Sequence, residues 1–409
     1  MAAMGPFEPA PPLAVAVSGG ADSLALTLLA DAWARARGGQ AIGLIVDHGL
    51  RPESAAEARE TARRLGERGI PARILVLDGL TAGPALAERA RDARYAALVA
   101  ACAASGTLHL LLGHHAADQA ETVAHRVLRG SGAGGLAGMA AVVELSTVRL
   151  LRPLLSVMPE ALRDYLRAAG VAWVEDPSNR DQRALRPRMR AGLATHDRGA
   201  IEDLGDAARV AGQARCADEQ RTARVLGREV AIRPEGFALV PPGRVSVSGL
   251  RSVIRMVAGA AYPPPAEAVA SMVAMPRPAT LAGVRLLTAG RLGPGMLAVR
   301  EPAAMGPAVP ARAGAVWDGR FRLDRASGLP GGGMLGALGD DAARFRGQDC
   351  LPTAVLRTLP ALRMDGVLVA VPHLRYSDPA FGARVGVTFA PPHPACGAWF
   401  HATVSVPLA

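Results

Sequence analysis

Five strand-type residues, 13–17, run directly into the polar turn Ser18-Gly19-Gly20-Ala21-Asp22-Ser23, and a helix-forming stretch begins at Leu24. That alternation continues over the first 175 residues. Apolar runs at 41–46, 72–77 and 108–112 read as strands. Between them, residues 53–69 carry Ala58, Ala62 and Leu65 on one helical face, Pro84 opens a helix reaching about residue 105, and Ala116–Leu128 forms another. Near-continuous apolar strands alternating with helices predict an α/β fold, a parallel sheet with helices on both faces. In such sheets ligands bind beyond the carboxyl ends of the strands. The polar strand endings 18–23, Asp47-His48 and His114-His115 therefore belong along one rim.

The pattern changes after the sheet. Residues 150–195 form a bridge with Arg152-Pro153-Leu154-Leu155, a helix opened by Pro159, and Glu175-Asp176-Pro177-Ser178-Asn179. A helical region is expected at 196–275, followed by a smaller mixed α/β domain at 276–409. The latter holds a hairpin of 283–287 against Met296–Arg300 and a second strand region at 316–323. Dense Pro and Gly between 292 and 333 predict loops or a linker. A chain of 409 residues suits two or three domains of about 100–200 residues each.

Composition narrows the chemistry. No lysine occurs, so every basic side chain is arginine, and a P-loop lysine, a Schiff-base lysine and a Ser-Lys dyad are excluded. The formal net charge of +10 predicts an acidic partner, nucleic acid first. A GC-rich genome would enrich arginine in the same way, so clustered arginines carry more weight than the total. Cys102, Cys216, Cys350 and Cys396 are scattered without a C-x-x-C pair, which disfavours a disulfide framework, a zinc site or a metal cluster. The N-terminus lacks a signal-peptide pattern and no apolar run approaches the ~20 residues of a membrane span. A cytoplasmic protein without membrane contact is expected.

A strand, a glycine turn and a helix N-terminus make an anion site. Gly19 and Gly20 can turn successive amides into one concavity, and the helix adds free N–H groups with the positive end of its dipole. Ser18 and Ser23 supply hydroxyls beside them. At the second rim segment, His114 and Asp118 are four residues apart at a strand–helix junction. General-base work, metal ligation, and a structural arrangement in which Asp118 caps the helix and His115 packs all remain open there. Arg89, Arg91 and Arg94 share a helix with Tyr95, and Arg183, Arg186, Arg188 and Arg190 cluster after the bridge turn. The second group suits a phosphate backbone. Gly130, Gly132 and Gly135 match G-x-G-x-x-G by spacing, but a helix precedes them, so the dinucleotide context is missing.

Taken together, these words resemble a known family. Residues 18–23 look like the PP-loop of the N-type ATP pyrophosphatases, whose fold is adenine nucleotide alpha hydrolase-like. Val46-Asp47-His48-Gly49-Leu50-Arg51, Ala90-Arg91-x-x-Arg94-Tyr95, Gly113-His114-His115-x-x-Asp118-Gln119-x-Glu121-Thr122, Arg129-Gly130-Ser131-Gly132, Arg152-Pro153-Leu154-Leu155 and Glu175-Asp176-Pro177-Ser178-Asn179-x-Asp181 narrow the resemblance to the tRNA(Ile)-lysidine synthetase family. It covers about residues 13–195 and continues more weakly through Trp317-Asp318-Gly319-Arg320-Phe321. Ala184 and Arg186-Pro187 stand where the family usually has a phenylalanine and an Arg-Asn pair, and Pro187 removes an amide donor.

The resemblance implies ATP-dependent ligation of free L-lysine to C2 of the wobble cytidine in the CAU anticodon of tRNA(Ile), through an adenylated tRNA. It implies ATP with Mg2+ as substrate complex and leaves a homodimer open. ATP would contact Ser18, Gly19, Gly20, Ala21, Asp22, Ser23, Asp47 and His48, with Asp22 toward the metal. Asp118, His114, Arg91 and Arg94 would be catalytic, and Arg129, Arg186, Arg188 and Arg190 would hold tRNA. The regions 196–275 and 276–409 would bind and recognise tRNA. Rival readings are a thiolase-like enzyme of the same superfamily, a partner of an ATP-dependent amidotransferase, and an inactive tRNA-binding paralogue.

Overall fold

The apolar residues of strand β1 (Pro12–Val17) are buried on both sides of the sheet, which explains why the run barely alternates. Leu13, Val15 and Val17 join helices α1 (Ala21–Arg35) and α2 (Ser54–Gly66) in one core. Ala14 faces the other core, where Leu98, Ala101 and Cys102 of helix α3 (Leu86–Ala104) cover the sheet. Each fully buried aliphatic side chain contributes about 1.5–3 kcal/mol. The sheet is thus held from both faces and its strand ends are free to carry chemistry. This computed structural model describes residues 1–77, 79–81, 83–174, 198–327, 332–347, 350–380 and 384–403.

The remaining strands of this sheet are β2 (Gln40–Asp47), β3 (Ala72–Val76), β4 (His109–Leu111), β5 (Val142–Glu144) and β6 (Arg149–Leu151), in the order β3-β2-β1-β4-β6-β5. Five strands are parallel, as expected, but the edge strand β5 runs antiparallel to β6. The segment between them is a short return, too short for the helical crossover that a parallel pair requires. The chain winds from β1 outward to β3 and then back to β4 on the other side of β1. That reversal places the ends of β1 and β4 at a topological switch point. Helices α4 (Ala116–Leu128), α5 (Ala133–Leu136) and α6 (Pro159–Ala168) follow β4 in the order of the chain.

The chain divides into two compact units, one of Met1–Ala217 with Ala398–Ala409 and one of Asp218–Gly397, and the division falls inside helix α7 (Arg198–Glu229). The stretch expected to be helical to residue 275 contains helices α8 (Val247–Ala258) and α9 (Ala266–Ala274). It also contains the hairpin β7 (Ala231–Arg233) and β8 (Phe237–Val240). These strands share an antiparallel sheet with β9 (Ala279–Leu281), β10 (Val284–Thr288) and β11 (Met296–Arg300), in the order β7-β8-β11-β10-β9. One sheet therefore crosses the boundary expected at 275, because the apolar face of β8 is buried with that of β11. The expected hairpin of β10 and β11 is present, with Val284 opposite Arg300.

Among its described residues, the Pro/Gly-dense stretch 292–333 holds short strands as well as the expected loops. It carries β11, β12 (Val309–Pro310), β13 (Val316–Trp317) and β14 (Phe321–Ser327), and Gly314 (φ +81°) and Gly319 (φ +60°) serve the turns between short strands. Among the described residues no helix is long and apolar enough to cross a membrane.

Candidate active site

At the end of β1 the chain turns through Ser18 and Gly19 into α1. Gly19 has φ +83°, and a Cβ there would stand 2.7 Å from Thr61 Oγ1, so both backbone and space demand glycine. Gly20 differs from the expectation. It is the N-cap at φ −76° and ψ 163°, extended angles open to any residue, and a Cβ would meet Ser18 Oγ at an ordinary 3.5 Å. Ser23 Oγ accepts the Ser18 N–H at 3.1 Å and donates to the Gly20 carbonyl at 3.0 Å, so this hydroxyl closes the loop on itself. Ser18 is exposed. No side chain caps α1, which leaves its first N–H groups facing outward as an anion cradle.

The cradle opens on a cavity of about 340 Å³ at the carboxyl ends of β1, β2 and β4, lined by Asp22, His48, Arg94, Tyr95 and His114 among others. That volume lies in the range of small-ligand and cofactor pockets. Gly113 makes the close approach of β4 to α1 feasible, since a Cβ would meet the Ser23 nitrogen at 3.2 Å. Asp47 has another task. Its Oδ1 accepts from Ser54 Oγ at 2.6 Å and Gly49 N–H at 3.0 Å, bonds that hold its pKa below the usual value and fasten the loop presenting His48. Asp47 does not line the cavity.

Arg94 lines the cavity, and Arg91 and Arg152 stand near it. The Arg91 and Arg94 guanidinium carbons lie 5.4 and 5.8 Å from the Tyr95 ring centre, and Arg152 donates to the Ala140 carbonyl at 2.7 Å. No described carboxylate forms an ion pair with Arg91, Arg94 or Arg152, and burial lowers the pKa of Arg94 and Arg152. Burial, then Arg152, pushes His114 down to about 4, with Asp118 pulling the other way. His114 is therefore neutral near pH 7. Burial also lowers His48, and the Nδ1 atoms of His48 and His114 are buried without a protein partner.

Helix α4 begins with a reciprocal cap. His115, the N-cap, accepts the Asp118 N–H on Nδ1 at 3.4 Å, while Asp118 Oδ2 accepts the His115 N–H at 3.0 Å. His115 Nε2 stands 3.6 Å from Asp118 Oδ2 and 3.6 Å from Asp22 Oδ2. The helix is therefore capped at this segment, with His115 rather than Asp118 as the N-cap and Asp118 as its partner three residues on, beside the cradle. His115 and Arg152 were not singled out as site residues from sequence. His115 precedes a helix with an acid three residues on, the pattern of a cap. Arg152 follows β6, which pairs with β4 and so brings it to the same rim.

The glycine segment after α4 is fastened. Arg126 Nη1 donates to the carbonyls of Gly135 (2.9 Å) and Gly138 (2.7 Å), and Gln119 pairs with both backbone groups of Met139. Arg129 is the exposed C-cap of α4, and a helix does precede Gly130. Arg183, Arg186, Arg188, Arg190, Ala184, Pro187 and the segment 175–181 lie outside the described residues.

An uncapped helix N-terminus behind a glycine turn, at the switch point of a mostly parallel sheet, defines a PP-loop nucleotide-binding domain. The profile of the PP-loop domain family ATP_bind_3 matches residues 3–196. The chain is 37% identical over 388 residues to a tRNA(Ile)-lysidine synthase of Ruegeria pomeroyi, with 90% of each chain covered. It is 34% identical over 393 residues to one of Mesorhizobium japonicum, covering 90% of this chain and 86% of that one. A Hyphomonas neptunium relative of the same name is 40% identical over 268 residues, 63% of this chain and 72% of that one. The chain belongs to the tRNA(Ile)-lysidine synthase family, and is an ATP-dependent ligase.

Proposed function

We propose that this enzyme joins the side-chain amine of free lysine to C2 of the wobble cytidine in the CAU anticodon of tRNA(Ile), giving lysidine and changing codon reading from AUG to AUA. The observation that carries this reading is the uncapped α1 N-terminus opening into a cavity lined by Asp22, His48, Arg94 and His114, in a chain similar over 90% of its length to enzymes of that name. Cytosine O2 attacks the α-phosphorus of ATP and the bond to the β-phosphate oxygen breaks, releasing pyrophosphate onto the cradle of residues 18–23. Arg91 and Arg94 offset the charge of the adenylate without a competing carboxylate. The lysine amine then adds at C2, AMP leaves, and the amine loses its protons.

A side-chain ammonium with a reference pKa of ~10.4 must be deprotonated before attack. Asp118 takes this proton, with neutral His114 beside the reacting centre. Among the described residues no three His, Cys, Asp or Glu are grouped to hold a metal, whereas one carboxylate at the cradle, Asp22, suits an ion that arrives on phosphates. Mg2+ bound with ATP and held by Asp22 would neutralise charge on the leaving pyrophosphate. Asp47 positions His48, which borders the nucleotide. Arg129 and the arginines at 186, 188 and 190 contact tRNA phosphates, and the segment 130–138 covers the unstacked cytidine.

Nucleoside analysis of tRNA(Ile) after incubation with ATP and each amino acid tests this function. Lysidine forms only with lysine, with AMP and pyrophosphate released in equal amounts. A product with another amino acid, or tRNA binding without AMP release, sinks the proposal.

A further inference from the structure

We infer that His115 is a positioning residue that sets the Asp118 carboxylate against the phosphate cradle; the inference rests on the reading of Asp118 as the group that deprotonates lysine. The cap fixes the ring's tautomer. His115 Nδ1 accepts the Asp118 N–H at 3.4 Å, so in the neutral imidazole the proton sits on Nε2. That N–H faces two carboxylates, Asp22 Oδ2 on the first turn of α1 and Asp118 Oδ2 on the first turn of α4, each 3.6 Å away. At that distance neither is a formed hydrogen bond. A small closure toward either carboxylate would complete a bond.

The two carboxylates belong to different helices. Asp22 lines the cavity beside the cradle, and on the proposed function Asp118 meets the amine. His115 is buried, so its ring is held by packing as well as by the cap. Asp118 Oδ2 is already fixed from the other side by the His115 N–H at 3.0 Å. The main-chain N–H of His115 thus holds the same carboxylate oxygen that its ring Nε2 approaches.

The cap and the bridge use different ring atoms, so two variants separate them. In His115→Asn a short amide oxygen replaces Nδ1 as the cap acceptor and nothing reaches the Nε2 position. In His115→Gln the longer amide places a donor near the Nε2 position and caps poorly. Each is compared with wild type for melting temperature, for lysine-independent pyrophosphate release with tRNA, and for lysine-dependent AMP release, with Asp118→Asn alongside.

His115→Asn should melt as wild type but lose about 10- to 100-fold in kcat for lysine transfer, a cost typical of a misplaced reacting group, with a smaller loss in pyrophosphate release. His115→Gln should melt about 2–4 °C lower through the lost cap yet recover most of the transfer rate. Normal transfer by His115→Asn while Asp118→Asn is impaired overturns the positioning role alone. Losses that track melting temperature in both variants reduce His115 to a helix cap. Normal transfer by Asp118→Asn overturns the reading of Asp118 itself, and this inference with it.

Discussion

The side-chain amide of Gln119 pairs with both backbone groups of Met139, donating to the carbonyl at 3.1 Å and accepting the N–H at 2.8 Å. A helix side chain thereby completes the hydrogen bonding of a loop residue as a neighbouring strand would. Gly138, at φ +62°, allows the approach, since a Cβ there would lie 2.7 Å from the Gln119 amide nitrogen. The glycine segment is anchored at this end, whereas Cβ atoms at Gly130, Gly132 and Gly134 would meet nothing within 4 Å. Gln119→Ala leaves two backbone groups without protein partners, at a cost of about 1–3 kcal/mol. Hydrogen exchange at the Met139 amide should accelerate while the amides of β1 keep their protection. Unchanged exchange at Met139 would show that the clamp does not hold the loop.

The two glycines of the cradle should respond differently to alanine. Gly19→Ala puts a Cβ at φ +83° against Thr61 and should abolish measurable ATP binding by calorimetry. The backbone strain alone costs about 1–2 kcal/mol. Gly20→Ala meets no such conflict, so its melting temperature should stay at the wild-type value. Any loss of ATP affinity in Gly20→Ala then reports how closely the phosphates approach that position.

His114 makes stability depend on pH. Its folded-state pKa of about 4 lies below the ordinary histidine value of 6.5, so between those values the unfolded chain binds a proton that the folded chain does not. Stability is fully present above about pH 6.5 and falls as the pH drops toward 4. His114→Gln carries no titrating ring and should lose less melting temperature across that window. Parallel curves for the two proteins would contradict the buried neutral state.

In the second unit, Asp318 is buried between two guanidiniums. Its Oδ2 accepts from Arg320 Nε at 2.7 Å, Oδ1 pairs with Arg300 Nη2 at 3.1 Å, and Oδ1 also accepts the Gly306 N–H at 2.9 Å. Burial already pushes Arg320 down to about 10. Asp318→Ala leaves two buried cations without their counter-ion, a change that costs about 3–5 kcal/mol when one partner of a buried pair is removed. The melting of residues 218–397, followed by hydrogen exchange in β11 and β14, should move to lower temperature. Arg322→Ala, at an exposed pair with Asp324, should leave it in place.

Local pattern explains much of this fold. The apolar runs around residues 13–17, 41–46 and 72–77 and the helix Ala116–Leu128 were legible because burial on both faces leaves a signature in neighbouring residues. The hairpin β7–β8 was not, because 231–233 is an exposed edge strand with no alternation to read. The phosphate cradle was legible as a motif, yet the motif did not distinguish Gly19, which needs its positive φ, from Gly20, which does not. Asp47 looked like a ligand contact and serves its own loop, since a short carboxylate after a strand can do either.

Residue order alone was enough to specify most strands and helices of the first sheet, the anion-binding turn and the all-arginine basic side chains, since each follows from covalent neighbours and side-chain type. It could not show that His115 faces Asp22 as well as Asp118, that Arg152 stands beside the same rim, or that buried His114 is neutral. Those facts depend on β4 returning to the side of β1 opposite β2. That strand order brings together residues far apart in the chain, and their burial, charge and hydrogen-bond partners come from the neighbours they meet there.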